Sequence, residues 1–255
     1  MATTNALSDY AENELLDHLL GTGAAWTLPA ATWLQLHTGA PGESGTANVA
    51  SFTTRTDIAV WAAAASRAIA NTSVLAITGF STSETITDWS IHDASTAGNC
   101  LAYGDFTVNR LVDTGITLNI AAGDIDLDFV GTGLCNYAAN AALEHVVGRT
   151  TMTSPTNLYV QLHTGAPGDD ATANVHSHTR VVTGAMSAAA AGNSDNDAVI
   201  AITAGGTPQT LTHWSLLDAA SAGNAFFQAA LDDSRAVAAA EALEWAAAAL
   251  DVTIS

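Results

Sequence analysis

Two histidines invite a catalytic reading. His37 and His163 each lie in the string Gln-Leu-His-Thr-Gly-Ala-Pro-Gly, which fills positions 35–42 and again 161–168. A catalytic histidine needs a nucleophile to deprotonate and a group that orients its ring. Neither string carries a Ser or Cys in a nucleophile turn. The pattern instead predicts that Gln35 and His37, and likewise Gln161 and His163, hydrogen-bond and shape the loops at Pro41 and Pro167. His18 and His145 follow Asp17 and Glu144 at the ends of two helical stripes, where the helix dipole favours a cation. One histidine per helix falls short of the three or four ligands zinc requires. Asp124, Asp126 and Asp128 alternate with Ile125, Leu127 and Phe129, as on the wet face of a strand. Calcium loops carry their acids around a glycine turn instead. No catalytic, cofactor or metal residue is therefore assigned. A weak cation site at the acidic loops Asp169-Asp170 and Asp195-Asn196-Asp197 is the most these acids would support.

The repeated string belongs to a longer duplication. Leu16-Asp17-His18 and Gly21 return as Leu143-Glu144-His145 and Gly148, at offset 127. Thr46-Ala47-Asn48-Val49 returns as Thr172-Ala173-Asn174-Val175, at offset 126. Trp89-Ser90, Asp93-Ala94 and Ala97-Gly98-Asn99 return as Trp214-Ser215, Asp218-Ala219 and Ala222-Gly223-Asn224, at offset 125. Such a period suits a small autonomous domain of about 100–150 residues rather than a solenoid unit. Two tandem domains are expected, 1–130 and 131–255, with a short linker near Val130 to Leu134. Cys100 and Cys135 sit at non-equivalent positions of the copies, so they read as free buried thiols.

The elements that carry these residues follow from periodicity. Leu7, Ala11, Leu15 and Leu19 form an apolar helical stripe that Gly21 and Gly23 stop. Tyr137, Ala141, Leu143 and Val147 before Gly148 do the same in the second copy. The remainder alternates. Leu34 and Leu36 oppose Trp33, Gln35 and His37, while Leu158, Val160 and Leu162 oppose Tyr159, Gln161 and His163. Each strand reads as half-buried and half-wet. Pro41-Gly42 favours a type II turn, and Asp93 to Asn99 forms a hairpin loop. Roughly seven short strands per copy imply a mainly β chain of two tandem antiparallel β-sandwich domains, Ig-like or jelly-roll-like, each preceded by a short α-helix. Trp89 and Trp214 fall in the core of that sandwich. Arg55 and Arg180, with Arg110 and Arg235, are retained in both copies as anchors to carboxylates or carbonyls.

Composition narrows the partners. The net charge is -19, from 25 acids and six arginines, and the chain has no lysine. An apolar share of 48% marks a folded chain rather than a disordered acidic one. The charge excludes nucleic acid, whose phosphates need clustered bases, and it disfavours anionic membranes. The N-terminus has no signal-peptide pattern, and no run of about 18 apolar residues would span a membrane. Many carboxylates without lysine look halophilic, since molar salt shortens the Debye length to about 3 Å and screens self-repulsion.

The succession Leu-Leu-Asp-His-Leu-Leu-Gly, Trp-Leu-Gln-Leu-His-Thr-Gly-Ala-Pro-Gly, Arg55, Trp61, Asn71, Trp89-Ser90-Ile91-His92-Asp93-Ala94 and Gly98-Asn99 resembles minor virion and tail-fibre-like proteins of tailed viruses. The resemblance covers nearly all of each copy. It implies a non-enzymatic virion structural protein, either a capsid decoration or turret or a tail fibre or baseplate component. The partners would be other virion proteins and further copies of itself, with the host cell surface as an additional one. Assembly would take place in the host cytoplasm. Together with the composition it implies a haloarchaeal tailed virus. The rival reading is a host-surface or carbohydrate-binding β-sandwich module. That module would need exposed aromatics, for which Trp26, Phe52 and Phe80 are the candidates.

Overall fold

The computed structural model describes residues 5–22, 24–129 and 133–254. Gly23, linker residues 130–132 and Ser255 lie outside them. The first copy runs β1 (Ala6–Leu7), α1 (Asp9–Leu20), β2 (Trp33–His37), β3 (Thr56–Asp57), β4 (Ala68–Ala70), β5 (Leu75–Ile77), β6 (Glu84–His92), β7 (Cys100–Val112), β8 (Leu118–Ile120) and β9 (Asp126–Asp128). The second runs α2 (Asn136–Val146), β10 (Tyr159–His163), β11 (Val181–Val182), β12 (Asn193–Asp195), β13 (Ile200–Thr203), β14 (Gln209–Leu217), β15 (Ala225–Val237), β16 (Ala242–Trp245) and β17 (Asp251–Thr253). The chain is thus mainly β, with one short helix opening each copy.

Among the described residues all paired strands are antiparallel, and no sheet closes into a barrel. The first copy has a sheet of order β1-β7-β6-β2-β3 and the ribbons β4-β9 and β5-β8. The second has β11-β10-β14-β15 with β12-β17 and β13-β16. The β1 position is taken there by the single bridge Leu134 to Phe227. Even the irregularities recur. The long hairpin shifts register between Ile86 and Asp88 and between Ile91 and His92, and its counterpart does so between Leu211 and His213 and between Leu216 and Leu217.

One expectation fails. β2 and β10 are not half-wet, because Leu34 to His37 and Val160 to His163 are all buried. Apolar packing covers one face. On the other, polar Gln and His are buried because each finds a hydrogen-bond partner, which removes most of the cost of desolvation.

α1 begins where Ser8 Oγ accepts the Ala11 N–H (3.2 Å). Ala11, Leu15, Leu16 and Leu19 are fully buried, and each leucine contributes about 1.5–3 kcal/mol by leaving water. Gly21, at φ +69°, ends the run. α2 buries Ala138, Ala139, Ala142, Leu143 and Val146 and ends before Gly148, at φ +76°.

The chain forms two compact units, and each draws on both copies. Unit 1 is Met1–Glu12, Thr27–Val130 and Asn140–Met152. Unit 2 is Asn13–Trp26, Gly131–Ala139 and Thr153–Ser255. Each helix therefore begins in one unit and continues in the other.

Candidate functional site

The signature residues of each copy build two loops, and the construction is the same twice. β2 ends in His37, whose Nδ1 is 2.7 Å from the Ala47 carbonyl and whose Nε2 is 2.8 Å from Ser90 Oγ on β6. A carbonyl only accepts, so Nδ1 carries the proton and Nε2 accepts from the serine. In the second copy His163 repeats this with Ala173 (2.9 Å) and Ser215 (2.8 Å). The loop between is shaped from inside. Gly42 and Gly168 take φ +70° and +74° after Pro41 and Pro167, the type II geometry that the Pro-Gly pair favours. The Ala47 and Ala173 amides donate back to the Pro41 and Pro167 carbonyls, at 3.0 and 2.9 Å. Asn48 Nδ2 and Asn174 Nδ2 close the loop on Ala40 and Ala166, at 2.9 and 2.8 Å. Gln35 donates to the Phe52 carbonyl (3.3 Å), and Gln161 donates to that of His176 (3.1 Å).

The second loop joins β6 to β7. Asp93 Oδ1 accepts the Asn99 N–H (2.7 Å), and Oδ2 accepts the Asn99 amide (2.9 Å). Asp218 and Asn224 repeat both bonds, at 2.7 and 2.8 Å. Arg55 caps this loop from outside, donating to the Ala94 carbonyl (2.8 Å) and to that of Ala97. Arg180 does so to Ala219 (3.0 Å) and Ala222 (2.6 Å), with Nε on Gln161 Oε1 (3.2 Å). Arg110 on β7 pairs with Asp124 in the β8–β9 turn (2.7 Å), and Arg235 on β15 pairs with Glu241 in the β15–β16 turn (3.0 Å). Trp89 is fully buried and Trp214 nearly so.

Hydrogen bonding between a histidine and a serine is half of a nucleophilic triad, yet nothing here can react. His37, Ser90, His163 and Ser215 have no exposed surface, so no substrate reaches the hydroxyl. A backbone carbonyl stands where a triad has a carboxylate. Burial also holds His37 and His163 below the ordinary histidine range. The Cys100 thiol is pushed up to about 12, chiefly by burial and then by Glu43, so it is no nucleophile either. Both cysteines are buried. Among the described residues, no group of three or more His, Cys, Asp or Glu side chains is placed to hold a metal. No helix among them is long and apolar enough to cross a membrane.

Two sequence expectations are corrected here. His18 and His145 do not lie open at the helix ends. Both rings are buried, and their Nδ1 atoms accept the N–H groups of Trp26 and Met152 (3.1 Å each). Trp26 and Phe80 are buried, and Phe52 packs on Phe80 at 5.7 Å, so the supposed exposed aromatics offer no sugar platform.

Asn71 and Asn196 were the residues sequence reasoning undervalued. Buried Asn71 donates to Ser73 (2.9 Å) and Ala121 (3.0 Å) and accepts from Gly123 (3.0 Å) and Ile125 (3.1 Å). Asn196 donates to Ala198 (2.6 Å) and Ala246 (2.8 Å) and accepts from Ala249 (3.1 Å) and Leu250 (2.8 Å). Their identity at offset 125 was the available signal.

Most of the retained polar residues described above thus satisfy backbone groups or hold a loop or turn, which defines a duplicated structural module rather than a reaction centre. The family described as podophage GP4 fiber I protein gp80 matches residues 6–128 and again 133–253, and the chain belongs to that family as a tandem pair. It is a phage fibre family, structural and not enzymatic, and the protein is a fibre component of the virion tail of a tailed phage. No curated protein is significantly similar to the chain.

Proposed function

We propose that the protein is a fibre building block whose paired loops, 38–48 with 93–99 and 164–174 with 218–224, present shaped backbone to neighbouring virion proteins and to further copies of itself. The observation that carries this reading is the duplication of the loop-shaping bonds in both copies, around residues that no substrate can reach. Weak contacts at such surfaces gain strength through symmetry and multivalency. We take each copy as a sandwich, since β2 and the C-terminal half of β6, with their counterparts, are buried on both faces and so require a covering layer. Peptide mass spectrometry of purified virions and antibody labelling in the electron microscope test the assignment. Label on the tail supports it, whereas label on the head or absence from virions overturns it.

The source we propose is a halophilic host, a reading supported by the -19 charge and the absence of lysine. At about 0.1 M salt, charges repel over about 10 Å, compared with about 3 Å at molar salt. The melting temperature is expected to drop between those conditions, and an unchanged one sinks the halophilic reading alone.

A further inference from the structure

The helices end on partners from the opposite copy, and they do so reciprocally. Within unit 2, Asn13 Oδ1 on α1 accepts the Gly192 N–H (3.0 Å), and Asp17 Oδ1 accepts that of Ala189 (2.7 Å). Within unit 1, Asn140 Oδ1 on α2 accepts the Arg67 N–H (2.9 Å), and Glu144 Oε1 accepts that of Ala64 (2.7 Å). Asn13 and Asp17 match Asn140 and Glu144 at offset 127, while Ala64 and Arg67 match Ala189 and Gly192 at offset 125. The receiving segment is a tight hairpin turn in both cases. Ser66 and Arg67 take φ +52° and +67°, and Ala191 and Gly192 take +51° and +70°. Residues 65 and 68 bond each other through both backbone groups, as do 190 and 193. The amides of residues 64, 67, 189 and 192 are therefore turned outward, and the helix supplies an amide and a carboxylate four positions apart on one face to receive them.

The chain beyond each helix shows the same exchange. A side chain on Gly21 would meet the Pro155 carbonyl at 2.6 Å, and one on Gly148 would meet that of Pro29 at 2.5 Å. Both glycines have positive φ and both prolines are equivalent at offset 126. His18 and His145 lie on these exchanged segments.

We infer that the hairpin-turn surface of each copy is a docking site for the helix of a second copy of the same module, so that this chain is a covalently fused, helix-exchanged dimer. The partner is defined by chemistry: a helix bearing Asn and an acid at i and i+4, followed by a glycine that fits against a proline carbonyl. This inference does not rest on the fibre assignment and survives its failure.

The test uses the whole protein. A protease site inserted between Gly131 and Thr132, in the gap between the two family matches, is cut after folding in molar salt. The two halves are expected to co-elute at the 25.9 kDa position of the uncut chain. Separation into half-mass species, or precipitation of either half, overturns the inference. Amide exchange on the uncut wild type supplies a second, independent reading. The amides of Ala189 and Gly192 should be protected, and N13A/D17A should speed their exchange about tenfold while leaving Ala64 and Arg67 unchanged. Exchange at open-loop rates in the wild type, or an effect confined to the first copy, overturns it.

Discussion

The two copies keep different things for different reasons. Both retain the His–Ser bond from β2 to β6, but only the first extends it, with His92 Nε2 lying 2.9 Å from Ser90 Oγ. Leucine (Leu217) stands at that place in the second copy, and its loop has the same form. His92 is therefore an addition, and the His–Ser–carbonyl bridge is the part the loop needs. The strand after the second loop differs as well. Phe106 is buried beneath Arg110, whose guanidinium lies 5.0 Å from the ring. Its counterpart Leu231 is smaller, and a cleft of about 120 Å³ opens between Leu231, Ile202, Leu211, Leu243, Trp245 and Arg235. Hydrogen-bonded positions are kept because an orphaned buried donor is costly, whereas an apolar position tolerates shrinkage at the cost of a void.

Four changes sharpen or break this contrast. The largest effect is expected at the shared asparagines. Asn71→Ala and Asn196→Ala each remove four bonds and orphan buried backbone groups, so each should cost about 3–5 kcal/mol in chemical denaturation. Very unequal costs would mean that the copies are not equivalent at this point. Next come the unequal strands. Leu231→Phe should fill the cleft and gain about 1 kcal/mol, while Phe106→Leu should lose about 1–2 kcal/mol. A destabilising Leu231→Phe would show that the second copy has repacked around its leucine.

The third concerns acid. Burial, with Arg55 and His37 nearby, lowers His92 from 6.5 to about 4, and burial also lowers His37, His163, His176 and His178. The unfolded chain binds these protons first, so stability is full above about 6.5 and falls as pH drops toward 4. Half-buried Glu12, raised to about 6 by burial and by Asp9 and Glu43, has the opposite sign and offsets a small part. Installing the second copy's residue, His92→Leu, should flatten the pH dependence of the melting temperature. An unaltered slope would remove His92 from the account. The smallest effect lies in the turn ion pairs. Arg110→Ala should cost up to about 1 kcal/mol and Arg235→Ala less, since the latter pair is more exposed.

Much of this was legible in the chain. Alternation placed β2, β6 and β9, the four-residue stripe placed α1, and Pro41-Gly42 announced its turn because few residues accept that backbone. Gln35, expected to hold the loop at Pro41, donates instead to the Phe52 carbonyl beyond that loop. The particular partners of Gln35 and Arg55 were not legible in the sequence. Nothing in the string Trp-Ser says that Ser90 meets His37, because that pairing depends on the register between β2 and β6. The wet face assigned to β2 failed for a related reason: alternation separates two faces but does not tell which of them is covered.

The sequence alone determined the duplication and the opening helix of each copy, because these follow from residue identity and local period. Only the tertiary structure decided what each helix is buried against. A stripe of Ala11, Leu15 and Leu19 demands an apolar surface, and the sequence does not say which. The amides of Ala64, Arg67, Ala189 and Gly192 meet Asn and acid side chains on the helices only once the chain has folded.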